Sequence, residues 1–364
     1  MTVQTLFHPF TVNTRTLKNR LVVAPMTRIT ANAQGVPGER MRDYYQSFAR
    51  GGFSLIIAEG TWIDSKSSQP YEYQPGIIDD VQAAAWRSVT DAVHAEGGKI
   101  FIQLQHAGAL SQSGYFHEEN VAPSALQPRG KQLEFYRGSG PYTVPRALTE
   151  NEIISIIESF AEAAERAVND AGFDGIEIHG ANGYLLDQFL TDYTNQRTDR
   201  WGGDSARRLT LSIEVIRAVR ERLGSKIPVG IRISQGKVND FAHKWKQGIE
   251  DARVIFSLLA DTGIDFLHLT EHTALAPAFA DDSRSLVALA RQFAPEITII
   301  ANGGLEDPTR AQQALTDGAN LIALGRGALA NHDWPERVRN GLSLNEFDPA
   351  LLRPLADIKA NEIV

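Results

Sequence analysis

The stretch His179-Gly180-Ala181-Asn182-Gly183-Tyr184 puts an imidazole, an amide and a phenol within six residues of one another. All three are neutral donors at pH 7, and none is a good nucleophile without a base. Two donors converging on one oxygen polarise a carbonyl, as an oxyanion hole does, and a third group of high pKa can deliver a proton. A lone His179 would read as a hydrogen-bonded core histidine; three such groups together favour a site. Arg232 ends the apolar run Val229-Gly230-Ile231. A cation among barrel-filling side chains is costly unless it meets an anion, either a bound ligand or a core carboxylate such as Glu177. Gln103 carries a donor and an acceptor, which suits the amide-like edge of a heterocycle. The strings Asn302-Gly303-Gly304 and Gly325-Arg326-Gly327 let backbone N–H groups approach phosphate oxygens, with Arg326 as a guanidinium grip. Tight turns alone would also explain these glycines.

Two further signals have plainer readings. His268 and His272 straddle a strand end instead of sharing a helix face, so with Glu271 they make a poor metal site. Phe241 and Trp245, in GKVNDFAHKWKQG, read as a partly buried loop anchor.

These groups need elements to hold them. Eight short aliphatic runs alternate with segments of helical period: Leu21 to Ala24, Leu55 to Ala58, Ile100 to Leu104, Gly175 to His179, Val229 to Ile233, Phe266 to Thr270, Ile297 to Ala301 and Leu321 to Leu324. The clearest helix is Glu150 to Ala171, where Ile153, Ile156, Ile157, Phe160, Ala164 and Val168 recur at spacings of three and four. Thr149 suits its N-cap, Glu150 and Glu152 its first turn, and Gly172 its C-terminal cap. The pattern predicts a (β/α)8 TIM barrel, a single domain over residues 1–364, with every candidate group at a strand's C-terminal end. Phosphate sites in such barrels follow strands seven and eight, where the glycine pairs lie. Residues 107–148, rich in Gly, Pro, Ser and aromatics, interrupt the alternation after strand three and are expected to cap the site.

Composition excludes much else. The 364 residues are 43% hydrophobic and 22% charged, with 36 Lys+Arg against 44 Asp+Glu and a formal charge of -8. No basic arm is present, which argues against nucleic acid or an anionic membrane as partner. Cys is absent, which removes disulfides, thiolate metal sites, iron–sulfur clusters and a Cys nucleophile. The N-terminal sequence lacks a basic start followed by an apolar stretch, and no window reaches the roughly 18 apolar residues of a spanning helix. A cytoplasmic setting is expected, as monomer or homo-oligomer.

The strings LKNRLVVAPMTR, IQLQHAGA, AGFDGIEIHGANGYLLDQFLTDYTNQRTDRWGG, IRIS, ANGG and LGRG resemble those of the old yellow enzyme family of flavin-dependent ene-reductases, and the resemblance covers most of the chain. It implies FMN across the barrel mouth and NADPH or NADH as co-substrate. Ala24, Pro25, Met26 and Thr27 would line the flavin, with the Thr27 hydroxyl near its O4. Gly60 and Gln103 would hold the pyrimidine side, Arg232 would face N1 and O2, and Gly303, Gly304, Gly325 and Arg326 would bind the phosphate. His179 and Asn182 would hold the activating oxygen of an alkene, and Tyr184 would protonate it after hydride transfer. The chain departs from the family's other branches in Thr27 where one has Cys, Ile29 where that branch has Tyr, and Asn182 where many bacterial members have His. It looks closest to the threonine-type branch. The loop after Arg232 departs from the usual continuation. Larger relatives with an iron–sulfur domain are not matched by a Cys-free chain ending at Val364. The other readings are a flavin-free aldolase or epimerase on a phosphorylated substrate, which would need a base such as Glu59 or Glu271, and a protein that only binds FMN.

Overall fold

In the computed structural model, which describes residues 3–116 and 118–363, eight parallel strands close into a barrel. They are β1 (Leu21–Val23), β2 (Leu55–Trp62), β3 (Lys99–Gln105), β4 (Gly175–Asn182), β5 (Val229–Lys237), β6 (Phe266–Thr270), β7 (Thr298–Asn302) and β8 (Leu321–Leu324), each paired with the next and β8 with β1. Helices α1 (Glu39–Arg50), α2 (Asp80–Ala95), α3 (Glu150–Asn169), α4 (Thr210–Leu223), α5 (Ile249–Ala260), α6 (Leu286–Phe293), α7 (Pro308–Thr316) and α8 (Arg326–Ala330) alternate with them. This is the expected (β/α)8 barrel. His117 of the expected cap and residues Met1, Thr2 and Val364 of the expected domain lie outside the described residues.

Helix α3 forms as its sequence requires. A capping box closes its start: the Thr149 hydroxyl accepts from the Glu152 amide, and the Glu152 carboxylate accepts from the Thr149 amide at 2.8 Å. Ile153, Ile156, Phe160 and Ala164 are buried on one face, each large side chain contributing about 1.5–3 kcal/mol. Gly172 takes φ +77 just beyond the end, a left-handed turn that glycine adopts without strain.

The barrel interior is layered. Its lower part is apolar, with Val22, Leu55, Ile57, Phe101, Phe266, Ile300 and Leu321 buried together. A hairpin, Phe10–Val12 with Arg15–Leu17, closes the bottom, burying Val12 and Leu17 in the same cluster. Higher up, inward positions turn polar: Gln103, Glu177, His179, Arg232 and His268 are all buried. Strands β2, β4 and β5 run on past the expected ends, after register shifts at Ala58/Gly60 and Gly180/Asn182. Such irregularities re-aim side chains at a barrel rim.

Residues 107–148 leave β3 through a single 3-10 turn, Gly108–Leu110, and return beside α3 as a two-residue parallel pair, Val121–Ala122 with Arg146–Ala147. Between them Tyr136 stacks on Tyr71 at 4.3 Å and donates its hydroxyl to the Thr27 carbonyl at 3.0 Å. Among the described residues no helix is long and apolar enough to cross a membrane.

Candidate active site

Strand register puts His179 beside Arg232 and Arg232 beside His268, with Gln103 beside Glu177 on the next pair. Four strands thereby bring the sequence-predicted polar groups into one patch. Arg232 is 6% exposed, and its Nη2 donates to Asn302 Oδ1 at 2.8 Å and Thr270 Oγ1 at 3.2 Å, while Nε has no partner. Glu177 does not form the salt bridge open to it: its oxygens accept from Gln103 Nε2 at 2.8 Å and meet His268 Nδ1 at 2.7 Å. Among the described residues Arg232 has no ion pair, so its charge is buried against neutral groups. Burial lowers its pKa, and the more distant charge of Glu177 opposes that.

His179 is held neutral. Burial, and then the positive charges of Arg232 and His268, push its pKa well below the ordinary value, and its buried Nδ1 lacks a partner. A neutral imidazole keeps one N–H to donate. Beyond it the chain turns through two left-handed residues, Asn182 at φ 62 and Gly183 at φ 89. Tyr184 then swings back so that its ring centre lies 5.0 Å from that of His179. Its hydroxyl meets the Tyr71 hydroxyl at 2.7 Å, a partner 113 residues away that the sequence reading missed. Burial raises the Tyr184 pKa, while hydrogen bonds with Tyr71 and Gln105 oppose the rise. Ile29, buried in the same aromatic cluster as Tyr71, Tyr142 and Tyr184, holds φ 33, a strained value for a β-branched residue.

At the other side of the mouth, the glycines divide by role. A Cβ on Gly303 would lie 1.9 Å from the Glu271 carbonyl oxygen, and one on Gly327 2.8 Å from Glu306 Cβ, so close packing alone requires both. Gly304 and Gly325 differ. A Cβ there would meet only ordinary contacts, Arg310 Nη2 and the His272 carbonyl at 3.7 Å and Met26 Sδ at 3.6 Å. Open backbone thus lies at Gly304, near Arg310 on the first turn of α7, and at Gly325, next to Arg326, the first residue of α8. Both arginines are exposed, and neither guanidinium has a hydrogen bond or ion pair among the described residues. Arg310 was not foreseen, because it lies inside a helix and not at a strand end. Ala24 and Pro25 are buried and Met26 and Thr27 half-buried on the path out of β1. A Cβ on Gly60 would lie 1.7 Å from Gln105 Oε1, so any larger residue there would have to displace that side chain.

The weaker signals resolve plainly. His268 points into the barrel and His272 lies outside it; no group of three potential ligands among the described residues could hold a metal. Trp245 is buried against Phe256, but Phe241 is 76% exposed, so the expected pair of anchors is one anchor.

A buried cation without an ion pair among the described residues, a neutral imidazole beside it, and uncrowded backbone at Gly304 and Gly325 near two exposed arginines suit an anionic phosphorylated ligand. Residues 5–345 match the NADH:flavin oxidoreductase / NADH oxidase family. An NADH oxidase of Thermoanaerobacter brockii is 34% identical over 92% of this chain, which spans about half, 51%, of that protein's length. A probable flavin mononucleotide-dependent alkene reductase of Leishmania infantum is 36% identical, covering 96% of this chain and 94% of its own. The solved old yellow enzyme homologue from Zymomonas mobilis superposes with a TM-score of 0.86 at 33% identity, covering 99% of this chain and 98% of its own. The chain therefore belongs to the NADH:flavin oxidoreductase / NADH oxidase family, as an oxidoreductase that pairs a nicotinamide reductant with FMN.

Proposed function

We propose that the chain is an ene-reductase: it takes reducing equivalents from NADPH or NADH and reduces the C=C bond of activated alkenes, such as enones, enals, maleimides and nitroalkenes. The observation that carries this reading is the meeting of His179 and Tyr184, their ring centres 5.0 Å apart, beside a buried Arg232 with no ion pair among the described residues, with Asn182 on the turn that joins the two. Such donors suit an oxygen on which negative charge grows, and the cation suits an anionic heterocycle. The name of the Leishmania relative supports the substrate class.

The residues fit FMN on two counts: the unpartnered buried Nε of Arg232, and the open backbone of Gly304 and Gly325 near Arg310 and Arg326. In this reading Ala24, Pro25, Met26 and Thr27 line the flavin, Gly60 and Gln103 hold its pyrimidine edge, and Arg232 faces its N1 and O2. Gly303, Gly304, Gly325 and Arg326 hold the phosphate, Gly303 by keeping the turn tight. Bound there, FMN supplies the hydride for the alkene β-carbon. The chain does the rest. His179 and Asn182 donate to the activating oxygen and stabilise the enolate charge. Tyr184 gives its phenolic proton to the α-carbon, and Tyr71, 2.7 Å away, can turn its hydrogen toward the phenolate left behind. Residues 107–148 cap the site through Tyr136 and Tyr142, limiting water and holding substrate in place. Thr27 and Ile29 support assignment to the threonine-type branch.

A flavin-free aldolase or epimerase lacks its base. Glu59 is wholly buried and accepts from the Arg28 amide and the Tyr45 hydroxyl; Glu271 accepts from the Gln235 amide and Lys244. The test is an absorbance spectrum of purified protein, then anaerobic titration with each nicotinamide and re-oxidation by cyclohexenone. One FMN per chain, bleached by NAD(P)H and restored by the enone, is expected; FAD, no flavin, or a bleached flavin that the enone leaves unchanged would overturn the reading. Phenols should bind the oxidised protein with a long-wavelength charge-transfer band that His179→Ala/Asn182→Ala abolishes while FMN stays bound.

A further inference from the structure

Strand β5 ends, five residues after Arg232, on a lysine buried against a carboxylate. Lys237 Nζ meets both oxygens of Asp187, at 2.8 and 2.9 Å, and the two side chains are 3% and 0% exposed. Lys237 lies on the overhang of β5, beyond the register shift that ends regular pairing with β4. Asp187 lies on the first turn of the short helix Leu185–Leu190. Neither closes the barrel.

What they hold is the turn carrying two of the proposed donors. Asn182 and Gly183 are both left-handed, a conformation that persists in a non-glycine residue only when its surroundings fix it. The Asn182 amide donates to Ser234 Oγ at 2.8 Å, and its carbonyl accepts from the Val238 amide at 3.1 Å. The Gly183 amide donates to Asp187 Oδ2 at 2.6 Å. Lys237 thus holds the carboxylate that holds the peptide between Asn182 and Tyr184. Rotation about that peptide would move both side chains at once. For stability alone, an apolar pair of similar volume serves as well as a buried ion pair; what it cannot supply is an acceptor for the Gly183 amide. We propose that Lys237 and Asp187 are positioning residues for Asn182 and Tyr184, acting through Gly183, an inference that rests on the donor roles assigned to those two side chains.

Removing one partner alone strands a buried charge, so both are replaced in the holoenzyme. Lys237→Met/Asp187→Leu removes the charges and the acceptor, while Lys237→Met/Asp187→Asn removes the charges and keeps an acceptor oxygen for Gly183. The readouts are the dissociation constant of p-chlorophenol, from its charge-transfer band with oxidised protein, alongside FMN content and Tm. The Leu variant should keep FMN and a folded Tm yet bind the phenol about tenfold or more weakly, the scale of one displaced hydrogen bond to a charged oxygen. The Asn variant should recover to within about threefold of the parent. Parent-like phenol binding in the Leu variant overturns the inference. So does equal weakness in both variants, or weakness in a folded Asn variant should the Leu variant not fold. Parent-like binding in His179→Ala/Asn182→Ala would instead remove the donor roles themselves.

Discussion

The two ends of the barrel treat charge in opposite ways. At the lower end, where strands begin, Asp174 and Asp265 each precede a strand and repeat one device. Each backbone amide donates to a carbonyl near the start of the neighbouring strand, and each carboxylate accepts the same residue's amide: Ile100 for Asp174 and Val229 for Asp265. Further partners surround them: the His94 ring at 2.7 Å with the cations Lys99 and Arg15 at 3.5 Å for Asp174, and Arg220 at 2.7 Å for Asp265. At the upper end Arg232 is buried without an ion pair, and Arg310 and Arg326 stand free among the described residues. The carboxylates diverge as well. Burial pushes Asp174 up, but hydrogen bonds from His94 and the Ile100 amide leave its pKa below the usual range; burial of Glu59, midway along β2, outweighs its hydrogen bonds and raises it to about 7. At Asp174 and Asp265 charge satisfied within the chain serves stability, whereas the unpaired charge of Arg232 marks where another molecule completes the structure.

The largest expected effect belongs to the upper end. Tyr184→Phe should slow re-oxidation of the flavin by enones by a factor of about 10² to 10⁴, the scale of general acid catalysis, and leave flavin reduction by NAD(P)H nearly untouched. Nitroalkenes should suffer less, since their nitronates can leave and be protonated in water. Stopped-flow traces of the two halves decide it; equal slowing of both would assign Tyr184 to packing.

At the lower end the opposite pattern is expected. Asp174→Ala should cost about 2 to 4 kcal/mol of stability by denaturant titration, because it strands the Ile100 amide and leaves His94, Lys99 and Arg15 without their carboxylate. Phenol affinity and flavin reduction should stay as in the parent, and a change in either would break the contrast. For Glu59, the folded protein keeps a proton that the unfolded chain loses above its ordinary pKa of 4.5. Stability therefore declines as pH rises from there to about 7 and is lowest above it. Glu59→Gln should be near neutral at pH 5 and stabilising by about 1 to 3 kcal/mol at pH 8. A gain that is the same at both values would show Glu59 ionised throughout. Thr27→Ala, which removes one neutral hydrogen bond to the flavin in this account, should weaken FMN binding by only about 1 kcal/mol, read by fluorescence on release.

What the sequence made legible follows the same division. The eight strands were visible because each fills the barrel with apolar side chains, and Arg232 stood out as a cation ending one of them. The overhangs of β4 and β5 were not, because Gly180 to Asn182 and Ser234 to Lys237 carry no apolar alternation and pair across an irregular register past the rim. Tyr71 and Lys237 escaped notice for a shared reason: each acts on a partner 113 or 50 residues away that only the closed barrel brings near. Phe241 misled because an aromatic beside Trp245 reads as buried, yet the loop turns it outward.

The central claim, that Arg232 is left unpaired for the flavin, has one direct measurement: the two-electron reduction potential of bound FMN in Arg232→Met beside the parent. Loss of a charged hydrogen-bond partner for the anionic reduced flavin should lower the potential by about 30 to 60 mV, at about 30 mV for each 1.4 kcal/mol. A potential equal to the parent's, with FMN still bound at one per chain, would contradict the claim.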